Sequence, residues 1–455
     1  MIMRTAAVLC LSLAWAASVE AKDLWVDVSS KGGTCSDSLT RAQVTKATPW
    51  CSLARAALQA QAGDTVYARA GTYSKVQTCP SCDDNAVLQL VVYGAAGAPI
   101  RFMPAPGEQA VIAPGSGGAA HGIVAKNGTQ PFHVEVSGFK VTGFAQGNCV
   151  GIKKASQVVL GGLEVTGCTG SGAVELHETG DVTLEKCRIH DNATNGWTSP
   201  VDLYLCKKGN VVRGNWIHDN QDAPTAGNPD SEGHGITMDT CEASGGALIE
   251  NNVIWGNEGW CMAIYRSDGG TIRNNTCWTN GTRAGAGEIS LYGNNHSVHN
   301  NILVPRSGRL ALNIRYNQSY AVTTSTLAID GNILWAPTHT QVVGWDDGKT
   351  GDVAAYKAQN PEGWGKSALQ QDPKPADAAS DDYQLQPGSP AVDSGLAGFA
   401  AALDILGVKR PQDGDGDGTA AVDRGAFELP DKATRADSGP ADDAGPLNFD
   451  LGDPW

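Results

Sequence analysis

Apolar residues recur through the middle of the chain with a coil-length period, longer than that of a helix or a strand. Eight stretches align: 134–144, 158–168, 182–192, 210–220, 247–257, 270–280, 296–306 and 327–337. Their last residues are 24, 24, 28, 37, 23, 26 and 31 apart. One position in each is aliphatic: Val136, Leu160, Leu184, Val212, Ile249, Ile272, Val298 and Ile329. Five residues later comes a second apolar column, Val141, Val165, Ile189, Ile217, Ile254, Cys277, Leu303 and Leu334. Two residues before that column the chain reads Phe139, Leu163, Cys187, then Asn215, Asn252, Asn275, Asn301 and Asn332. Five Asn in one register predict a ladder, each amide bonding the coils on either side. The short polar side chain also tolerates the left-handed backbone of a sharp bend. A third strand follows each variable loop, at 122–126, 150–153, 174–177, 201–204, 236–239, 262–265, 289–292, 312–315 and 342–345. Three short strands per turn predict an all-β parallel β-helix, a solenoid whose coils bury apolar side chains only by stacking. An antiparallel sandwich is the alternative, but it needs no coil-length period.

The open ends of such a stack must be covered. Ser52 can cap a short helix whose stripe is Leu53, Ala56, Ala57 and Ala60, and residues 63–73 return as turn, strand, turn. The run from Trp50 to Tyr73 resembles the opening module of bacterial right-handed parallel β-helix proteins, the pectate-lyase-like superfamily. Asp382-Tyr383-Gln384-Leu385, Ser389-Pro390-Ala391-Val392-Asp393, Arg410-Pro411 and Asp423-Arg424-Gly425-Ala426-Phe427-Glu428 resemble a C-terminal closing module of the choice-of-anchor type. The resemblance covers roughly 22–430 and implies a right-handed helix with both ends capped. The expected organisation is a signal peptide (1–21), an N-terminal cap (22–75), the β-helix (76–345), a C-terminal capping module (346–430) and an acidic disordered tail (431–455).

Composition narrows the function. Lys plus Arg is 33 and Asp plus Glu is 48, a formal charge of −15. That excess argues against nucleic acid as a partner, because phosphate affinity comes from basic surface. Glycine is 56 of 455 residues, about 12% against a usual ~7%, which suits many tight turns. Arg4, the apolar run 6–17 and Val19-Glu20-Ala21 form a secretory signal with cleavage after Ala21. That run is too short to span a bilayer, so the expected product is secreted, without a membrane-spanning segment, and monomeric. Eleven cysteines follow Ala21, which requires at least one free thiol; Cys35/Cys51 and Cys79/Cys82 are the local pairs.

Period-two alternation turns one column of the third strand outward: Lys126, Lys153, His177, Tyr204, Asp239, Tyr265, Tyr292 and Arg315. Its neighbour carries Val124, Gly151, Glu175, Asp202, Thr237, Ala263, Ser290 and Asn313. Loops 193–200 and 221–233 would wall the same face. Carboxylates and aromatic rings in one groove suit an extended polysaccharide. Tyr265, Tyr292 and Trp260 could stack on sugar rings, and Glu175 and His234 could bind polar groups. The family resemblance implies β-elimination on an acidic polysaccharide. Glu175, Asp202 and Asp239 would then hold Ca2+, with His177, Tyr204 or Arg315 in proton transfer. The run 230–237 is similar to a strand of one calcium-dependent pectate lyase family, but Thr237 stands near that family's catalytic Lys. Gly233-His234-Gly235 is similar to an element of polygalacturonases, so an inverting glycoside hydrolase using Asp202, Asp239 and His234 is the second reading. A non-catalytic carbohydrate-binding or cell-surface protein is the third. Separately, Asp413, Asp415 and Asp417 have the spacing of a calcium loop, with Asp423 or Glu428 in place of the usual twelfth-position carboxylate, where Arg424 stands. That ion would be structural.

Overall fold

The structure is a computed structural model that describes residues 20–432, except 80, 81, 83, 84, 197, 224–231, 243, 244, 284, 317–319, 346, 347 and 361. Residues 1–19 of the expected signal peptide and residues 433–455 of the expected tail lie outside the described residues. The chain winds as a parallel β-helix with three long sheets, two of eleven strands and one of ten. Every aliphatic column read from the repeat is a column of paired residues. Val136, Leu160, Leu184, Val212, Ile249, Ile272, Val298 and Ile329 follow one another across one sheet. Val141 through Leu334 do the same across the ten-stranded sheet. All of these side chains are buried.

The predicted Asn ladder is present. Asn215 donates through Nδ2 to Asn252 Oδ1 at 2.9 Å, and the contact repeats from Asn252 to Asn275, Asn275 to Asn301, and Asn301 to Asn332. The left-handed residue is the one before each ladder Asn, as at Asn251, Asn274 and Asn300 with φ of 54°, 52° and 56°. The ladder Asn itself is not the bend residue; its amide is committed to the neighbouring coil. Cys187 occupies the same column and is the one free thiol among the described residues. Both expected local disulfides form, and Cys149–Cys168, Cys206–Cys241 and Cys261–Cys277 add three more.

A second ladder runs five residues further along each coil. Asn192, Asn220, Asn257 and Asn280 pass Nδ2–H to Oδ1 at 2.8–2.9 Å. It ends on Glu288, whose two carboxyl oxygens accept Asn280 Nδ2–H at 2.7 Å and Asn280 N–H at 3.1 Å. Glu288 is fully buried.

Helix Leu53–Gln59 covers the N-terminal end, with the Ser52 hydroxyl accepting Arg55 N–H at 3.2 Å. At the other end the final antiparallel strand Lys349–Gly351 and helix Val353–Gln359 cover the stack. Most of the expected C-terminal cap is placed differently: beyond residue 370 it lies along the side of the ten-stranded sheet. That sheet points Trp216, Val253, Trp255, Ile302 and Val304 outward, and Tyr383, Leu385, Val392, Phe427 and Leu429 cover them. The apolar outer face needs a cover of its own, and the polypeptide beyond the solenoid supplies it. Among the described residues no helix is long and apolar enough to cross a membrane.

Candidate active site

The outer face of the remaining eleven-stranded sheet carries the two predicted columns. Lys126, Lys153, His177, Tyr204, Asp239, Tyr265 and Tyr292 are paired in sequence, strand to strand. Glu175, Asp202, Thr237, Ala263, Ser290 and Asn313 are paired beside them. Parallel strands in register set the vertical spacing at ~4.8 Å per coil, so Glu175, His177, Asp202, Tyr204 and Asp239 form one cluster. His177 Nδ1 is 3.5 Å from Glu175, its ring meets Tyr204 edge-on at 4.9 Å, and Asn148 Nδ2 donates to Glu175. Asp239 accepts the Thr240 hydroxyl at 2.6 Å. Thr237 is covered rather than open, its hydroxyl 2.7 Å from that of Ser199.

Glu232 and His234 approach this cluster from the strand that enters it. Glu232 lies within the run 230–237, and sequence reasoning missed it. Its signal was available: a carboxylate four residues before a groove strand, on the loop expected to form a wall. Residues 224–231 of that loop lie outside the described residues. On its other side Asp222, Glu258 and Arg283 form an ion-pair cluster, with Arg283 at 2.5 Å from Asp222 and 3.3 Å from Glu258.

Burial and mutual repulsion load this group with protons. Burial, then the charges of Glu175, Glu232 and Asp239, push the Asp202 carboxyl well above the usual carboxylate range. Burial, then Asp239 and Asp222, push Glu232 up to about 7 against the opposing pull of Arg283. Burial raises Asp239, offset in part by the Thr240 hydroxyl and Arg266. Burial, reinforced by Arg283, holds His234 down to about 3, so its imidazole is neutral. Like charges this close oppose one another's ionisation, and the carboxyls of Asp202, Glu232 and Asp239 are all raised.

Other predicted site residues are elsewhere or differently employed. Tyr204 and Tyr265 are open to solvent, at 36% and 39% exposure. Tyr292 is not an open platform: it is 2% exposed, its ring packs on Tyr320, and its hydroxyl accepts Tyr320 N–H at 2.7 Å. Arg315 follows Ile314, the strand partner of Leu291, and lies 5.1 Å over the Tyr292 ring. It is three strands from Asp239, ~14 Å, and does not belong to the carboxyl cluster. Trp260 is half-buried and donates its backbone N–H to His234 Nδ1 at 2.9 Å.

Among the described residues, the carboxylates of Glu175, Asp202 and Asp239 do not form a trio within 4.8 Å, because they span three successive coils. They do not make a preformed calcium cage. In the C-terminal module the convergent group is Asp393, Asp413 and Asp415. Asp417 and Asp423 stand outside that group. Asp423 is buried, accepting the backbone N–H of Asp393 and of Leu429, and Glu428 pairs with Arg410 at 2.7 Å. A calcium loop there would draw its third carboxylate from Asp393, a residue distant in sequence.

Residues 115–276 match the family described as right handed beta helix region, in agreement with the handedness expected from sequence. No curated protein matches the chain. Among solved structures, it is similar to pectate lyase Pel9A at 16% identity, over 90% of this chain and 97% of that one, with a TM-score of 0.49. It is similar to a rhamnogalacturonan lyase at 14% identity, over 66% and 84%, with a TM-score of 0.43. It is also similar to the GH136 lacto-N-biosidase of Eubacterium ramulus at 12% identity, over 77% and 67%, with a TM-score of 0.42.

Proposed function

We propose that this protein is a secreted polysaccharide-active enzyme and that its groove hydrolyses a glycosidic bond by general acid–base catalysis. The observation that carries this reading is the carboxyl cluster on an open sheet face. It contains Asp202 and Glu232, whose carboxyls are raised by burial and by neighbouring charges, beside Asp239, with Tyr204 and Tyr265 exposed along the same column. Glycoside hydrolysis needs that pairing: one carboxyl to protonate the leaving oxygen and another to take a proton from water. Asp239, at the centre of the column and fixed by Thr240, is the base. Open tyrosines one coil to either side give sugar rings a surface to stack on.

β-Elimination is the second reading, favoured by the edge contact of His177 with Tyr204, which puts two proton-transfer groups together. A panel of polygalacturonate, alginate, xylan and galactan, assayed with and without a chelator, separates the readings. Hydrolysis gives new reducing ends without ultraviolet absorbance, and elimination gives both. Binding without either product leaves a carbohydrate-binding protein. Asp239→Asn is expected to lose roughly 100-fold or more in kcat with an unchanged melting temperature. Full activity in that variant removes Asp239 from the mechanism. The chelator arm, read by melting temperature, tests whether Asp393, Asp413 and Asp415 take calcium as a structural ion.

A further inference from the structure

We propose that Glu232 is the proton donor to the leaving glycosidic oxygen and that His234 is the residue that positions it. This rests on the hydrolytic reading above. Burial and like charges raise both Asp202 and Glu232, but the two are not equally accessible. Asp202 is 4% exposed, whereas the Glu232 side chain is 26% exposed. Of the two, Glu232 is the one open to a bond lying in the groove.

The backbone around it is pinned to the next coil. Gly233 O accepts Gly259 N–H and Gly235 N–H donates to Trp260 O, both at 2.8 Å. Gly233 has φ of +52°, and a Cβ there would come within 3.1 Å of Asp222, so the turn favours glycine. Between these anchors, His234 Nδ1 accepts the Trp260 backbone N–H at 2.9 Å. A neutral imidazole that accepts at Nδ1 carries its proton on Nε2. That nitrogen lies 3.5 Å from Glu232 Oε2. The tautomer is therefore set by the main chain of the adjacent coil, which leaves the protonated nitrogen beside the carboxyl.

The chemistry follows from this arrangement. Glu232 passes its proton to the glycosidic oxygen as the C1–O bond breaks, and the bonding electron pair leaves with that oxygen. Water forms the new bond to C1 and gives its proton to Asp239. The new Glu232 carboxylate is stabilised by the Arg283 charge, and His234 Nε2 stands 3.5 Å from it. Exchange with solvent then returns the proton from Asp239 and reloads Glu232. A donor that titrates near the working pH is the most effective kind.

The test uses the full chain and whichever polymer of the panel it cleaves. Glu232→Gln is expected to lower kcat by roughly 100-fold or more, leave KM within a few-fold, and abolish the alkaline limb of the kcat profile. His234→Ala is expected to keep that limb and move it to higher pH, because the carboxylate loses a donor; a purely structural role would not move it. Infrared titration supplies a readout without substrate. Other buried carboxyls, Glu288 and Asp423, titrate close by, so the readout is the wild-type minus Glu232→Gln difference spectrum, which should contain a protonated carboxyl band lost near pH 7. Near-normal turnover in folded Glu232→Gln, or a difference spectrum without that band, overturns the assignment while leaving hydrolysis intact. A wild type that cleaves no polymer overturns both.

Discussion

A buried amide must find its hydrogen bonds inside the protein, and at Asn275 the neighbouring coils supply all but one of them. Its side chain donates to Asn301 and to the Ile249 and Arg273 carbonyls, and accepts from the backbone and side chain of Asn252. Asn275→Ala strands donors on one side and an acceptor on the other. The expected cost is about 3 kcal/mol, seen as a lower urea midpoint and faster amide exchange at residues 252 and 301. This ladder was legible because its Asn share one offset from an apolar column. The second ladder kept an equally constant offset at Asn192, Asn220, Asn257 and Asn280, but those residues look like ordinary turn formers at the ends of strands. The same blindness hid the burial of Tyr292: alternation gives the side of a sheet, not what the next loop lays over it.

At the scale of elements, the C-terminal module acts as a side plate. Tyr383 lies between Trp255 and Trp278, with ring centres 5.6 and 5.3 Å away, and Phe427 meets Trp216 at 6.0 Å. Tyr383→Ala is expected to destabilise the docked module by about 3–4 kcal/mol. The tryptophan emission should shift to the red and dye binding should rise, while the groove sheet keeps its protection from exchange. Unchanged emission would mean that the plate is held by its backbone bonds alone, such as Gly425 N–H to Asn300 O at 2.7 Å. The sequence did contain this surface, in large aromatics at outward positions of successive strands. Reading the module as an end plug followed from its order in the chain, and chain order does not say which face of a solenoid a segment returns to.

For the molecule as a whole, the coil period fixed the architecture and the groove face, because register is a property of every coil at once. The reacting centre was less legible, since it also depends on a wall loop whose path has no repeat. The protonation pattern of the whole fold predicts its response to pH. Burial raises Glu288 and Asp423 to about 8, and Glu232 to about 7. Between roughly pH 4.5 and 8 the folded state therefore holds protons that the unfolded chain has released, and stability falls as pH rises. Burial lowers His296 and His299 to about 4 and His234 to about 3, so stability is lost as pH falls below roughly 6.5. The expected optimum lies slightly on the acid side of neutrality, with a decline towards pH 8 that thermal melts will show and Glu288→Gln will flatten. A melting temperature that stays level from pH 6.5 to 8.5 would contradict it. Glu288 also gives its row a direction of growth. Each amide in the row donates one way, and the row stops at a carboxyl that accepts two hydrogen bonds and forwards none to a further Asn. Duplicated coils spliced in ahead of it would extend the row, whereas copies added after it would stack without it, as the coils that follow Glu288 already do. The row can thus lengthen on one side of that residue and not on the other.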